Sequence, residues 1–228
     1  MEEKQNKIII QEGELGNIQA SLEYFLKLNI PKDVKILDVG CNYGSLIYNL
    51  YALGYHNVFG VEIDKSALEK GKISYPRISD NLYTHEAGNL PFGDGIFDVV
   101  LMFDVIEHIP DVQVFLKNEV FRILKKRGVF IFQTPNKPMN ILWVYLDNKS
   151  FKVEWWKEHC SLQTFWGLKK LLFSAGFNNI VIEKYNVWTE HNKNKVKKKL
   201  GYIGLWLLKF VSVLPVYICT NFWGYAKK

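Results

Sequence analysis

The stretch Lys35-Ile36-Leu37-Asp38-Val39-Gly40-Cys41-Asn42-Tyr43-Gly44 leaves this chain few ways to fold. An apolar run (Val34, Ile36, Leu37, Val39) carries an acid near its end and breaks into a Gly-x-x-x-Gly turn. Ser45-Leu46-Ile47-Tyr48-Asn49-Leu50-Tyr51-Ala52-Leu53 then repeats its apolar positions at helical spacing. The reading is a buried strand, a tight turn and a helix. Glycine allows the turn a positive φ and lets a ligand come close to bare backbone. The start of the helix offers unpaired N–H groups to whatever the turn holds.

A second strand, Asn57-Val58-Phe59-Gly60-Val61-Glu62-Ile63-Asp64, also ends in acid. An acid about twenty residues beyond a glycine turn is placed to grip a ribose diol. The Gly-x-Gly-x-x-Gly fingerprint of nicotinamide binders is absent, which disfavours a nicotinamide-dependent oxidoreductase. Strand patterns recur over residues 82–86, 97–102, 128–133 and 179–185, and helical ones over 65–73, 112–124 and 162–175. This alternation, with strands rich in Val, Ile and Phe, predicts an α/β fold with a doubly wound, mostly parallel sheet covered on both faces. Ligands of such sheets sit beyond the carboxyl ends of the strands, where strand order reverses. Asp38, Glu62, Glu86 and Asp104 all fall at expected strand ends.

Taken in order, further segments join the glycine turn Asp38-Val39-Gly40-Cys41-Asn42-Tyr43-Gly44 and Gly60-Val61-Glu62-Ile63-Asp64. They are Leu90-Pro91-Phe92, Phe97-Asp98-Val99-Val100, Asp104-Val105-Ile106-Glu107-His108-Ile109-Pro110-Asp111, Leu124-Lys125-Lys126-Arg127-Gly128-Val129-Phe130-Ile131 and Ala175-Gly176-Phe177. Together they resemble class I S-adenosylmethionine-dependent methyltransferases, above all the branch that acts on small molecules, lipids and glycans. The likeness runs over residues 34–185. It implies a Rossmann-like, seven-stranded sheet closed by an antiparallel last strand, here residues 220–226. It also implies S-adenosylmethionine as cofactor and S-adenosylhomocysteine as product.

Carried over residue by residue, the resemblance gives Asp38 the cofactor's amino group and lets the backbone at Gly40 and Gly44 close on its methionine part. Asn42 stands where the family more often has glycine, and asparagine tolerates left-handed backbone better than most residues. Glu62 would take the ribose hydroxyls, Ile63 would lie against the adenine, and Asp64 would cap the next helix. Glu86 replaces the family's common aspartate opposite the adenine amino group, with the Ala87 N–H on the ring. Phe103 would lie beside the sulfonium. A leading helix over residues 17–28, with Ile18, Leu22, Phe25 and Leu26 on one face, either covers the cofactor pocket or simply the core.

Methyl transfer from a sulfonium needs little acid–base help, because in-line positioning can supply up to roughly 7–11 kcal/mol. An oxygen or nitrogen acceptor still has a proton to lose, and a positioned base is worth about 10²–10⁴-fold. His108 and His159 are the catalytic candidates, since an imidazole titrates near neutral pH. The spacing Asp104-x-x-Glu107-His108 invites a second reading. On a helix these three share a face, and with His159 they could ligate a divalent metal ion. A similar acid-x-x-Glu-His set binds metal in the family's ubiquinone-pathway and small-RNA O-methyltransferases. Cys41, with no cation flanking it, reads as packing.

At 228 residues the chain suits one methyltransferase domain over residues 1–228, with residues 135–160 as an acceptor-side insertion and 193–228 as a basic, apolar C-terminal segment. In the insertion residues 135–139 read as loop, and Trp143, Tyr145, Trp155 and Trp156 suggest a wall for the acceptor. Three scattered cysteines, a polar opening expected to pack lightly, and an Ile8-Ile9-Ile10 run too short for a secretory leader point to the cytoplasm. Arginine occurs only at Arg77, Arg122 and Arg127 within a net charge of +6, which argues against nucleic acid as a partner. Five lysines crowd residues 193–199, ahead of an apolar stretch over 200–214 that contains Lys209. That stretch is too short and too charged for a span. It either lies peripherally on an anionic membrane or packs on the sheet. The expected function is methyl transfer to a small-molecule, lipid- or glycan-linked acceptor, at oxygen. The alternative is a non-catalytic cofactor-binding module assisting a partner, which the substitutions at Asn42 and Glu86 would favour.

Overall fold

A computed structural model describes residues 8–9, 17–86, 88–148, 159–185, 188 and 190–228. Helix α1 (Ile18–Lys27) starts where the Asn17 side chain accepts the Ala20 N–H at 3.1 Å. Then come β1 (Ile36–Val39), α2 (Ser45–Ala52), β2 (Val58–Glu62), α3 (Lys65–Ser74), β3 (Leu82–Thr84) and β4 (Phe97–Phe103). Helix α4 (Val112–Phe115) passes through a π-helical turn (Leu116–Val120) into α5 (Phe121–Ile123). The chain ends with β5 (Leu124–Pro135), α6 (Lys137–Asn148), α7 (Phe165–Ser174), β6 (Asn178–Glu183), α8 (Glu190–Val213) and β7 (Asn221–Lys227).

The strands form one seven-stranded sheet in the order β3-β2-β1-β4-β5-β7-β6. Strand β1 runs parallel to β2 and β4, β2 parallel to β3, and β7 antiparallel to β6. From β1 the chain moves outward to β2 and β3, then returns to the other side of β1 as β4. The carboxyl ends of β1 and β4 therefore flank the point where strand order reverses, which is where such sheets bind ligands.

The chain forms two compact units, Met1–Phe103 with Arg122–Phe130, and Asp104–Phe121 with Ile131–Lys228. In the first, Ile36, Leu37, Val58, Val61, Val99 and Val100 are all buried, as strands covered on both faces require. Helix α1 buries Leu22, Tyr24 and Phe25, while Leu26 is 39% exposed, so its inward face is turned toward Tyr24 relative to the expected one. Asp98, near the start of β4, accepts the Lys35 N–H (2.8 Å) and the Lys125 ammonium (2.8 and 2.9 Å). Burial works to raise its pKa, but these donors together hold the carboxyl below its usual range. Ile9 is clamped to α2 by the buried Asn49 side chain, which accepts its N–H (3.0 Å) and donates to its carbonyl (2.7 Å).

In the second unit, Ile182 of β6 stands opposite Gly224 of β7, where a Cβ would lie 2.2 Å from the Val181 carbonyl and 2.6 Å from Phe132 Cζ. The strand crossing there has room only for glycine. Asn136, fully buried at the end of β5, donates from its side chain to the carbonyls of Tyr217 (3.1 Å) and Cys219 (2.7 Å). Its N–H donates to the Thr220 carbonyl at 2.8 Å, so one residue ties β5 to the lead-in of β7.

Three expectations are corrected. Residues 137–139 are not loop, because Pro138 sits in the first turn of α6, where its missing N–H costs nothing. Strand β3 stops at Thr84, so Glu86 is not at a strand end but in a turn whose backbone pairs with Asn89. Strand β5 begins at Leu124 rather than residue 128, with Arg127 held at φ 66°. The first seven residues, Ala87, Trp155 and Trp156 lie outside the described residues.

Candidate cofactor site

The turn after β1 closes on its own backbone. Gly40 and Cys41 N–H groups both donate to the Val61 carbonyl (2.9 and 3.1 Å), and the Gly44 N–H donates to Cys41 (2.8 Å). Gly40, Asn42 and Gly44 have φ of 77°, 50° and 90°, all left-handed. Asn42, the departure from the family pattern, thus takes the conformation the turn requires. Its Oδ1 accepts the Tyr43 N–H at 2.9 Å, a local bond typical of asparagine in turns. Helix α3 backs this loop so closely that a Cβ on Gly71 would lie 2.1 Å from the Tyr43 carbonyl.

Glu62 reaches into the same turn. Its Oε2 accepts the Asn42 N–H at 2.9 Å, and its Oε1 accepts those of Ile63 (2.8 Å) and Asp64 (3.1 Å). A carboxylate offers about four acceptor positions, so Oε2 keeps capacity for one further donor such as a sugar hydroxyl. Ile63 beside it leaves an apolar side chain 59% exposed. Asp64 caps α3, accepting from Ser66 (2.8 Å) and Ala67 (3.3 Å), and those backbone bonds hold its carboxyl below the usual range. Asp38 is buried in β1, in register with Gly60 of β2 and Leu101 of β4. Phe103 ends β4, half-buried. Glu86 is exposed past the end of β3. The structure therefore gathers Asp38, Gly40, Asn42, Gly44, Glu62 and Ile63 around one turn. Left-handed backbone, a carboxylate with spare acceptor capacity and an exposed apolar side chain fit an adenosine- and methionine-bearing cofactor.

The second unit holds the acid–histidine group. Asp104 adopts φ 55°, and its N–H donates to the Gln133 carbonyl at 3.1 Å. Burial pushes its carboxyl above the usual range, against the Gln133 side chain and the charge of His108. Glu107 is 1% exposed and accepts the Thr134 hydroxyl at 2.9 Å. Burial first, and the Asp104 charge second, raise its pKa to about 8. The rings of His108 and His159 lie 4.9 Å apart edge to face, which makes neighbours of the two histidines named from sequence. Gln133 and Thr134 were not foreseen, because a strand pattern gives no sign of which polar side chain an acid elsewhere will meet.

The helix on which Asp104, Glu107 and His108 would share a face does not form. Ile106–His108 is a single 3₁₀ turn, and Asp104 lies outside it in left-handed backbone. Among the described residues no group of three or more His, Cys, Asp or Glu side chains could hold a metal ion. The four-ligand set of Asp104, Glu107, His108 and His159 is not assembled there. An open groove of about 980 Å³ in this unit is lined by Lys117, Lys137, Ser161, Gln163 and Lys170, among others, and by none of the candidate cofactor or catalytic residues.

Sheet order and glycine turn define the class: an α/β protein with the architecture of class I S-adenosylmethionine-dependent methyltransferases. The chain matches the family described as Methyltransferase domain over residues 11–182 and belongs to it. It is 35% identical over 104 residues to a probable S-adenosylmethionine-dependent methyltransferase of Mycolicibacterium smegmatis, covering 45% of this chain and 38% of that protein. It is 30% identical over 109 residues to the ubiquinone biosynthesis O-methyltransferase of Pelagibacter ubique, covering 47% of this chain and 45% of that one. The chain thus spans less than half the length of these relatives. The crystal structure of an S-adenosylmethionine dependent methyltransferase from Mesorhizobium loti superposes with a TM-score of 0.66 at 16% identity, covering 93% of this chain and all of that one.

Proposed function

We propose that this chain transfers the methyl group of S-adenosylmethionine to an oxygen of a small-molecule, lipid- or glycan-linked acceptor. The observation that carries this reading is the Asn42–Glu62 bond, which sets a carboxylate inside the left-handed turn at the end of β1. The cofactor supplies an activated methyl on a sulfonium. In this reading Asp38, Gly40, Asn42 and Gly44 hold its methionine part, and Glu62 takes a ribose hydroxyl. Ile63 and Phe103 give apolar cover, and Glu86 and Ala87 belong to the adenine end. Holding the reactants in line is the chief catalytic task, worth up to roughly 7–11 kcal/mol. His108 and His159 are assigned the acceptor's proton, a role worth about 10²–10⁴-fold. The likeness to the Pelagibacter ubique protein, named an O-methyltransferase, favours oxygen as the methylated atom.

Calorimetric titration with S-adenosylmethionine tests the first half of the reading. Mass spectrometry for S-adenosylhomocysteine, after incubation with fractionated small molecules and lipids, tests the second. Absence of binding overturns the reading. Binding with no acceptor-dependent turnover instead supports the non-catalytic module.

A further inference from the structure

Helix α8 presents an apolar face that the described residues leave uncovered. Non-helical backbone at Gly201 (φ 60°, ψ −147°) kinks it, and the part beyond folds back on the part before. A Cβ on Gly204 would lie 2.6 Å from Val196 Cγ1. After the kink, Gly204 and Leu208 are buried, whereas Tyr202, Ile203, Trp206, Phe210 and Val213 are 77%, 73%, 66%, 50% and 75% exposed. Helical spacing places those five on one stripe. A surface helix ordinarily turns polar residues outward, and this one turns outward aromatic and aliphatic side chains. The rings of Trp206 and Phe210 lie parallel within 4°, with centroids 6.0 Å apart.

Positive charge adjoins the stripe. Lys197, Lys198 and Lys199 are exposed, and the Lys197 ammonium stands 4.9 Å from the centroid of the Tyr202 ring. Lys193 lies 5.7 Å from the exposed Trp188 ring, and Lys209 is exposed at the stripe's edge. Lys184 holds the far end of the helix, donating to the Ser212 carbonyl at 2.7 Å and to that of Leu214. That cation caps the helix C-terminus, where it meets otherwise unpaired carbonyls and the negative end of the helix dipole.

Aromatic and aliphatic side chains in one row, with lysines at one end and along one edge, match the boundary between headgroups and acyl chains of an anionic bilayer. Tryptophan and tyrosine settle at headgroup level there, and lysines meet anionic lipid. No helix among the described residues is long and apolar enough to cross a membrane, so contact would be in the plane of the surface. We propose that residues 193–213 are a docking surface for membranes containing anionic phospholipid. This inference does not depend on methyl transfer.

Sedimentation of the full chain with phosphatidylcholine vesicles, with and without phosphatidylglycerol, tests it. We expect at least about tenfold stronger partitioning onto the anionic vesicles, weakening as salt rises. Trp206→Ser with Phe210→Ser should lower that partitioning roughly tenfold or more. Replacing Lys197, Lys198 and Lys199 by Gln should abolish the preference for phosphatidylglycerol. All five positions are exposed, and the salt dependence of the unaltered chain is a readout free of any substitution. Failure to sediment with anionic vesicles at low salt overturns the proposal, as does binding unchanged in the aromatic double variant. So does a dimer, seen by light scattering, that the double variant dissolves while vesicles capture neither form, since a second copy would then be the occupant.

Discussion

The backbone N–H of Asn42 donates to Glu62 Oε2 across 2.9 Å, so one side chain couples the glycine turn to the end of β2. A hydrogen bond to an ionised acceptor is worth about 1.5–3 kcal/mol. Glu62→Gln keeps the shape and loses the charge both at the turn and at the proposed ribose position. We expect affinity for S-adenosylmethionine to fall roughly tenfold or more, read by calorimetry, with the melting temperature also lowered.

Gly44 has φ 90°, and a Cβ there would lie 3.1 Å from Leu82 Cδ2. Left-handed backbone costs a non-glycine residue about 1–3 kcal/mol. Gly44→Ala should lower stability by an amount in that range in urea denaturation. It should weaken cofactor binding as well, because the same residue is the N-cap of α2.

Glu107 links stability to pH. Its folded pKa of about 8 stands above its ordinary 4.5, so the folded chain binds this proton more tightly than the unfolded chain does. The stability it contributes is complete below pH 4.5 and is lost as pH rises toward 8. Asp104, also raised, acts in the same direction. Glu107→Gln, uncharged at every pH, should flatten the decline in denaturation midpoint across that window. A slope unchanged by the substitution would assign the dependence to other groups.

His108 and His159 stand ring to ring at 4.9 Å. If either takes the acceptor's proton, His108→Asn or His159→Asn should lower kcat about 10²–10⁴-fold while calorimetry finds cofactor affinity unchanged. Equal loss of affinity and turnover would instead assign the pair to the binding fold.

Much of the candidate site's geometry was legible in the chain because its parts are local. The turn's left-handed positions, Asn42 as a tolerable substitute and Asp64 as a helix cap all follow from the conformational preferences of neighbouring residues. Glu62 was legible through its spacing from the turn. Glu86 was misplaced by strand periodicity, since three residues suffice for β3 and the pattern cannot mark where pairing stops. The shared face that Asp104-x-x-Glu107-His108 would have on a helix does not form, and nothing local announces the left-handed backbone at Asp104.

The order of apolar runs, glycines and acids in this chain determined by itself a doubly wound sheet with a bare-backbone turn at its switch point. Those features depend on residues close together in sequence and on the directions their side chains must take. Only the tertiary structure decided that Glu107 meets Thr134 and has its pKa raised by burial, that Asn136 ties β5 to residues 217–220, and that α8 turns its aromatic stripe outward. Each of those outcomes is set by which distant groups share a low-dielectric interior or leave a face uncovered, and no local pattern encodes that.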